Sequence, residues 1–169
     1  EYVWCDRQLR RLQLPYVAMI GNHDFLGTGE EYYAKKYGPK NLSFIAARLK
    51  LVLLNTNATE YDHMASVPDL NYIRQQAEED AGAFDRTIVL MHARPYSDQF
   101  NNNIAEPFEH YLQFYLKPMF CVNGHDHSLS VDDVFGDGMT YYGVPSVVKR
   151  KYFIFTITPD SYRYEIVDF

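Results

Sequence analysis

The chain has 169 residues, the length of one domain, and a domain of this size buries about 70% of the surface that its unfolded form exposes. An apolar content of 47% is ordinary for a globular protein and excludes disordered and collagen-like classes. The net charge of -6 argues against a nucleic-acid-binding surface, because such a surface needs a positive field to release counterions from phosphate.

Helix and strand patterns alternate along the first two thirds of the sequence, as apolar spacing and turn residues indicate. The short apolar run at residues 16–20 has the composition of a strand buried on both faces. The elements predicted around it are an amphipathic helix over 1–12, a helix opened by a Thr28–Glu31 capping box and closed at Gly38, and strands over 42–46 and 49–55. They are followed by a long helix from Pro68 with Ala81 and Phe84 on its apolar face, a strand over 87–91, a helix carrying Phe108 to Leu116, and a strand over 119–122.

The last third of the sequence changes to a period of two with turn residues. This pattern predicts two hairpins, with strands over 131–135 and 139–142 and over 152–158 and 162–167. Alternating strands and helices followed by antiparallel strands predict a mixed α/β architecture with more than one sheet. No apolar run approaches the roughly 20 residues that cross a bilayer, so we expect no membrane segment in this chain.

Three of the predicted strands end in polar residues. The run at 16–20 leads into Gly-Asn-His-Asp, the strand at 87–91 leads into His92, and the strand at 119–122 leads into Asn-Gly-His-Asp-His. Ligands in open α/β sheets gather beyond the carboxyl ends of the strands. If the three strands run parallel in one sheet, their tips bring together Asn22, His23, His92, His125 and His127. Imidazole is the commonest protein ligand of divalent transition metals, so the pattern indicates a metal site.

Each of these histidines has an alternative interpretation as a hydrogen-bonded polar residue at a strand end, and His63 and His110 are interpreted in that structural way. The sequence has no HExxH, no Gly-x-Ser-x-Gly and no GxxxxGK[ST] motif, which excludes the metalloproteases, serine hydrolases and P-loop proteins that need them. The polar loop over residues 96–106 follows His92. It either lines the same cleft or serves as a surface connection.

Three stretches of the sequence resemble, in order and spacing, three of the five motifs of the calcineurin-like metallophosphoesterases, which include the purple acid phosphatases. They are Gly21-Asn22-His23-Asp24, His92 with Pro95, and Gly124-His125-Asp126-His127. The resemblance covers the chain from Tyr16 onward. It implies an α/β fold, a four-layer α/β/β/α sandwich of two mixed β-sheets, in a single domain over residues 1–169. It also implies hydrolysis of a phosphoester substrate, as a phosphatase or a phosphodiesterase, at a dinuclear metal centre.

The resemblance also assigns roles to the motif residues. The expected metal ligands are Asn22, His92 and His125 for one ion and His127 for a second. His23 is expected to act as a general acid beside the phosphate, with Asp24 holding its ring. The complete domain of the family takes two divalent ions, for which Mn²⁺, Fe and Zn²⁺ are the candidates.

The sequence departs from the family pattern at its start. The first two motifs, Asp-x-His and Gly-Asp-x-x-Asp, would precede residue 1, and neither occurs in order elsewhere. Without their carboxylates we expect at most one metal ion in this chain and little activity of the chain alone. The chain is therefore expected to be the C-terminal part of a domain that is incomplete at its N-terminus. An uncovered sheet in such a chain is expected to drive self-association.

Two other functions fit the same residues. One is a non-catalytic protein-binding scaffold of this fold that keeps a relic metal site, and the other is a metal-binding domain without hydrolysis. The intact set of motif histidines argues against the scaffold. The missing aspartates favour it only if the gene lacks them too.

Overall fold

A computed structural model describes residues 2–169 and shows a mixed α/β protein. Its helices and strands are α1 (Tyr2–Leu9), α2 (Gly29–Tyr37), β1 (Leu42–Ala46), β2 (Leu49–Leu54), α3 (Leu70–Glu78), β3 (Arg86–Met91), α4 (Ala105–Tyr111), β4 (Cys121–Asn123), β5 (Ser130–Asp133), β6 (Thr140–Gly143), β7 (Lys151–Ile157) and β8 (Tyr162–Asp168). A π-helical turn continues α4 over Leu112–Leu116. Within the described residues, no helix has both the length and the apolar character needed to cross a membrane.

The main sheet has six strands in the order β1-β2-β3-β4-β6-β5. The four central strands run parallel, and β1 and β5 pair antiparallel at the edges. The register aligns the last residues of β2, β3 and β4, since Leu54 pairs with Met91 and Met91 pairs with Asn123. The segments that follow these strands therefore leave from one edge of the sheet, as expected for β3 and β4.

The predicted strand at residues 16–20 is wrong, because this run is neither helix nor strand and pairs with no strand among residues 2–169. Ile20 is buried, whereas Tyr16 and Val17 are about half exposed. Val17 and Met19 line an apolar cavity of about 340 Å³ on the face of the main sheet that β7 and β8 leave open. The run is apolar because it lies across that face, and it still delivers Gly21 to the edge where β3 ends.

Each face of the main sheet carries its own core. On one face, α3 and α4 pack against alternate residues of the central strands, with Val52, Ile73, Val89 and Phe108 completely buried. On the other face, the two-stranded antiparallel sheet of β7 and β8 packs Phe153, Phe155 and Tyr162 against Ile88, Phe120 and Tyr142. Helices, a mixed sheet and a second sheet thus pack in layers, which confirms the predicted mixed α/β fold with two sheets. The second sheet is a single antiparallel hairpin rather than the mixed sheet that was predicted.

Several predicted helix boundaries differ from the structure. Residue 1 lies outside the described residues, and α1 ends at Leu9 rather than at residue 12. The Thr28 side chain makes no capping hydrogen bond, so the predicted capping box is not formed. The long helix is capped by Asp69, which accepts hydrogen bonds from the amides of Asn71 and Tyr72.

The apolar face predicted for that long helix extends beyond the residue at which the helix ends. α3 ends at Glu78, so Ala81 and Phe84 lie beyond it, in a turn where Gly82 has φ +94°. The strands predicted at 42–46, 87–91 and 162–167 agree with the structure to within about one residue. The strand predicted at 131–135 is shorter in the structure, since β5 ends at Asp133.

Candidate metal centre

Asn22 and His92 lie together although 70 residues separate them in the sequence. The distance from His92 Nε2 to Asn22 Oδ1 is 2.9 Å. Asn22 opens a short 3-10 turn over Asn22–Phe25, directly after Gly21. The His92 ring packs on Gly21, where an added Cβ would lie 3.0 Å from His92 Cε1 and 3.1 Å from Nδ1. The glycine of the first motif therefore makes room for the histidine of the second.

His125 joins this pair from the loop that follows β4. The centroids of the His92 and His125 rings are 5.2 Å apart, at an interplanar angle of 70°. The Gly124 amide donates to the His92 carbonyl over 2.9 Å, which ties the two loops together at the backbone. The backbones of His125 and His127 have φ of +61° and +53°, a conformation that residues other than glycine rarely adopt. Asn22, His92 and His125 thus meet at one edge of the sheet.

The remaining predicted residues lie around this group. His23 is exposed beside it, and His127 is exposed next to a second cavity that Lys149 and Lys151 also line. Asp24 accepts hydrogen bonds from the Gly21 amide (2.8 Å) and from the Tyr2 hydroxyl (2.5 Å). A bond from Asp24 to the His23 ring is not among the hydrogen bonds of the described residues, so that predicted role stays a prediction.

Burial keeps the His92 ring neutral. The pKa of His92 is lowered to about 4, mainly by desolvation and also by the nearby rings of His125, His127 and His23, against the opposite effect of Asp24. A neutral imidazole keeps one nitrogen lone pair, which is the form that binds metals. In the hydrogen bond to Asn22 Oδ1 the hydrogen lies on His92 Nε2, so a metal bound through Nε2 would replace this hydrogen bond.

The donor atoms of this group agree in part with a metal site. Bonds from nitrogen and oxygen ligands to such ions are about 2.0–2.2 Å long, which places neighbouring ligands on one ion roughly 3 Å apart. The 2.9 Å between Asn22 Oδ1 and His92 Nε2 is the length of a hydrogen bond, and it is also close to that spacing. Within residues 2–169, however, no set of three or more His, Cys, Asp or Glu side chains is arranged to hold a metal. The assignment of Asn22, His92, His125 and His127 as metal ligands therefore stays a prediction.

Sequence reasoning missed a row of buried polar residues after β2. Asn57 Nδ2 donates to the Ile20 carbonyl over 3.3 Å, and Thr56 Oγ1 accepts from the Ala93 amide over 2.9 Å. These bonds connect the segment after β2 to the two segments that carry Asn22 and His92. Asn57 Oδ1 and Asn123 Oδ1 are buried without a hydrogen-bond partner among the described residues. The pattern that indicated His92 is a polar residue that follows an apolar strand. The same pattern would have indicated Asn57, because β2 ends at the same edge of the sheet as β3.

Two acidic residues near the site were also missed. Asp98 Oδ1 lies 2.5 Å from His125 Nε2, and the hydrogen bond lowers the pKa of Asp98. Arg94 Nε donates to Asp126 Oδ2 over 2.9 Å. Both pairs join the loop after β3 to the loop after β4. No spacing rule in the sequence signals them, since they depend on how two separate loops meet.

The comparisons with known proteins agree with this architecture. The model of the calcineurin-like phosphoesterase family matches residues 1–129, and the chain belongs to this family. Its members generally bind divalent metals and act on phosphoesters. A solved structure described as GAP50, the anchor in the inner membrane complex of Plasmodium, is similar in fold, with a TM-score of 0.56.

That similarity rests on 13% sequence identity and covers 79% of this chain and 49% of the other. At this identity the likeness shows the fold alone. The chain spans about half the length of that solved protein. No protein with a curated description matches the sequence.

Proposed function

We propose that this chain carries the metal-binding half of a phosphoric ester hydrolase, a phosphatase or phosphodiesterase with a dinuclear centre. Asn22, His92 and His125 hold one divalent ion, and His127 contributes to the second. The hydrogen-bond contact between Asn22 Oδ1 and His92 Nε2 carries the proposal, because it brings two motif residues, remote in sequence, close enough for one ion to replace the hydrogen between them. Membership of the phosphoesterase family supports the same reading.

The proposed hydrolysis combines the chemistry of bound divalent ions with the neighbouring side chains. Bound divalent ions polarise phosphoryl oxygens and lower the pKa of an attacking water. His23 is exposed beside the ligands, where it can donate a proton to the oxygen that leaves phosphorus. Asp24 fixes the turn that carries His23, since its carboxylate accepts from the Gly21 amide and the Tyr2 hydroxyl.

We further propose that residues 1–169 alone turn over slowly. The proposed ligands are neutral, and the family motifs that would add carboxylates do not occur within this sequence. Sites for these metals usually include carboxylates, which balance the charge of the ion. We expect p-nitrophenyl phosphate to be hydrolysed in a Mn²⁺-dependent way by the complete protein that the gene encodes, and much more slowly by residues 1–169.

Hydrolysis is measured with Mn²⁺ and again after its removal by EDTA. Turnover by residues 1–169 that equals that of the complete gene product would contradict the slow-turnover proposal. No metal-dependent hydrolysis by the complete protein would contradict the hydrolase itself and favour a non-catalytic scaffold. Isothermal titration with Mn²⁺ then shows whether a relic metal site is retained.

Self-association is the second part of the proposal. The main sheet keeps an open apolar area beside the β7–β8 hairpin, lined by Phe44, Leu51, Leu53 and Val122. Val17 crosses this area with half of its surface exposed. Exposed apolar area of this kind is usually covered by a protein partner, and a second copy of the chain presents the same surface.

We expect light scattering to report a dimer or a larger species of residues 1–169 at micromolar concentration, and a Val17→Lys variant to shift it toward the monomer. A charge placed on the apolar area must be desolvated in the interface, which weakens association. Val147→Lys is the matched control, because Val147 is 77% exposed and lies outside this area. A monomeric wild-type chain at all concentrations would refute the proposal.

A further inference from the structure

Asp98 is the acidic residue that contacts the candidate metal centre directly. It lies in the loop after β3, and its carboxylate Oδ1 is 2.5 Å from His125 Nε2. Its side chain is otherwise 88% exposed to solvent. An exposed carboxylate has no need of a protein partner, because water satisfies it fully. A need for a hydrogen-bond partner therefore does not explain why Asp98 lies against His125. The structure of the surrounding loop and the effect of Asp98 on the His125 ring explain it better.

The loop around Asp98 is fixed independently of His125. The Ala58 amide donates to the Gln99 carbonyl over 2.9 Å, and Asn102 Nδ2 donates to the Ser97 carbonyl over 3.0 Å. Phe100 is 1% exposed and packs edge-on against Phe108 of α4. Residues on both sides of Asp98 are thus held by the core and by the segment after β2. The backbone that carries Asp98 is therefore held beside His125 independently of the contact with its ring.

The contact determines which nitrogen of His125 is free. An ionised carboxylate only accepts hydrogen bonds, so Nε2 must carry the hydrogen and donate it to Asp98. A neutral ring with hydrogen on Nε2 keeps its lone pair on Nδ1. Histidines that bind metals almost always donate their other ring nitrogen to a carboxylate, a carbonyl or water in this way.

We propose that Asp98 is a positioning residue that fixes His125 as a metal ligand through Nδ1. The inference rests on the proposed function, since it assigns a role within the same metal site. The carboxylate fixes the ring in one tautomer and one orientation, and it makes the imidazole a stronger donor. It also places a negative charge beside a set of neutral ligands, which offsets part of the charge of the ion.

A purely structural role predicts different behaviour. A second pair, Arg94 Nε with Asp126 Oδ2, joins the same two loops. If Asp98 only holds the two loops together, then Arg94→Ala should affect the metal site as much as Asp98→Ala does. If Asp98 fixes the His125 ring, only Asp98→Ala should do so. Each variant removes one side chain of the loop after β3 that contacts the loop after β4.

The experiment uses two readouts on residues 1–169. Nitrogen-15 NMR of the metal-free protein at pH 8 reports the tautomer of His125, and isothermal titration with Zn²⁺ reports the metal affinity. We expect the wild type and Arg94→Ala to hold His125 with hydrogen on Nε2, and Asp98→Ala to give a mixture of tautomers. Zn²⁺ affinity is expected to fall about tenfold in Asp98→Ala and to stay at the wild-type value in Arg94→Ala.

The NMR result separates this inference from the proposed function. A wild-type His125 with hydrogen on Nδ1, or the same tautomer in wild type and Asp98→Ala, would overturn the role of Asp98 even if Zn²⁺ binds. Equal losses of affinity in both variants would also overturn it, in favour of the structural role. A wild-type protein that binds no Zn²⁺ removes the proposed metal site, and with it the role of Asp98, whatever the tautomer.

Discussion

Replacement of His23 by alanine is expected to lower Mn²⁺-dependent turnover of the complete protein by about 10²- to 10⁴-fold, the range for loss of a general acid. His23 is exposed beside Asn22 and is not one of the proposed ligands. Metal affinity should therefore stay unchanged while turnover falls. The measurement is hydrolysis of p-nitrophenyl phosphate, paired with isothermal titration of Mn²⁺ on the same preparations.

The matched control is His110→Ala. His110 is an exposed histidine on α4 that stacks on Phe114, away from the strand ends. We expect it to retain wild-type turnover. Equal turnover of His23→Ala and wild type would remove His23 from the mechanism, and a parallel loss of metal affinity would reassign it as a ligand or as a structural residue.

Replacement of Gly21 by alanine should weaken divalent-metal binding about 100-fold, without altering any ligand. The new Cβ would stand 3.0–3.3 Å from three atoms of the His92 ring, closer than side-chain carbons normally approach. The ring must move away, and Nε2 then loses its spacing from Asn22 Oδ1. The backbone itself accepts alanine, since Gly21 has φ −110°. The effect is therefore steric and confined to the site.

Gly124→Ala is the corresponding control, because Gly124 is a second glycine beside the His92 ring. A Cβ there would lie 3.5 Å from His92 Nδ1, an ordinary van der Waals contact. Isothermal titration with Mn²⁺ should give the wild-type affinity for Gly124→Ala. Equal affinities of the two variants would show that the packing of His92 on Gly21 does not set the geometry of the site.

The sequence predicted that two of the motif histidines lie close together, because local patterns were enough to identify the strands that carry them. Apolar runs that end in polar residues predicted β3 and β4, and the parallel pairing of these strands confirmed that His92 and His125 leave from the same edge. The run at residues 16–20 shows the limit of the method. An apolar run becomes a strand only if another strand lies beside it, and no local pattern records that neighbour.

Interactions between remote segments could not be predicted for the same reason. Lys50 lies in the middle of β2, yet it is completely buried, because its Nζ donates to the carbonyls of Gln76 (2.6 Å) and Glu79 (2.9 Å) at the end of α3. The sequence shows only a charged residue within an apolar strand. Asp98 is a similar case, since its contact with His125 depends on two loops that are far apart in the chain.

The pairing pattern of the two sheets leads us to expect a particular order of folding. Neighbouring segments form the β1–β2, β5–β6 and β7–β8 hairpins, whereas the parallel pairs β2–β3 and β3–β4 join segments that are remote in sequence. Closing such long intervals costs chain entropy before any contact compensates for it, so we expect the hairpins to form early and the central parallel strands to pair slowly. These parallel strands create the edge that gathers the motif residues, and we therefore expect this edge to form late in folding.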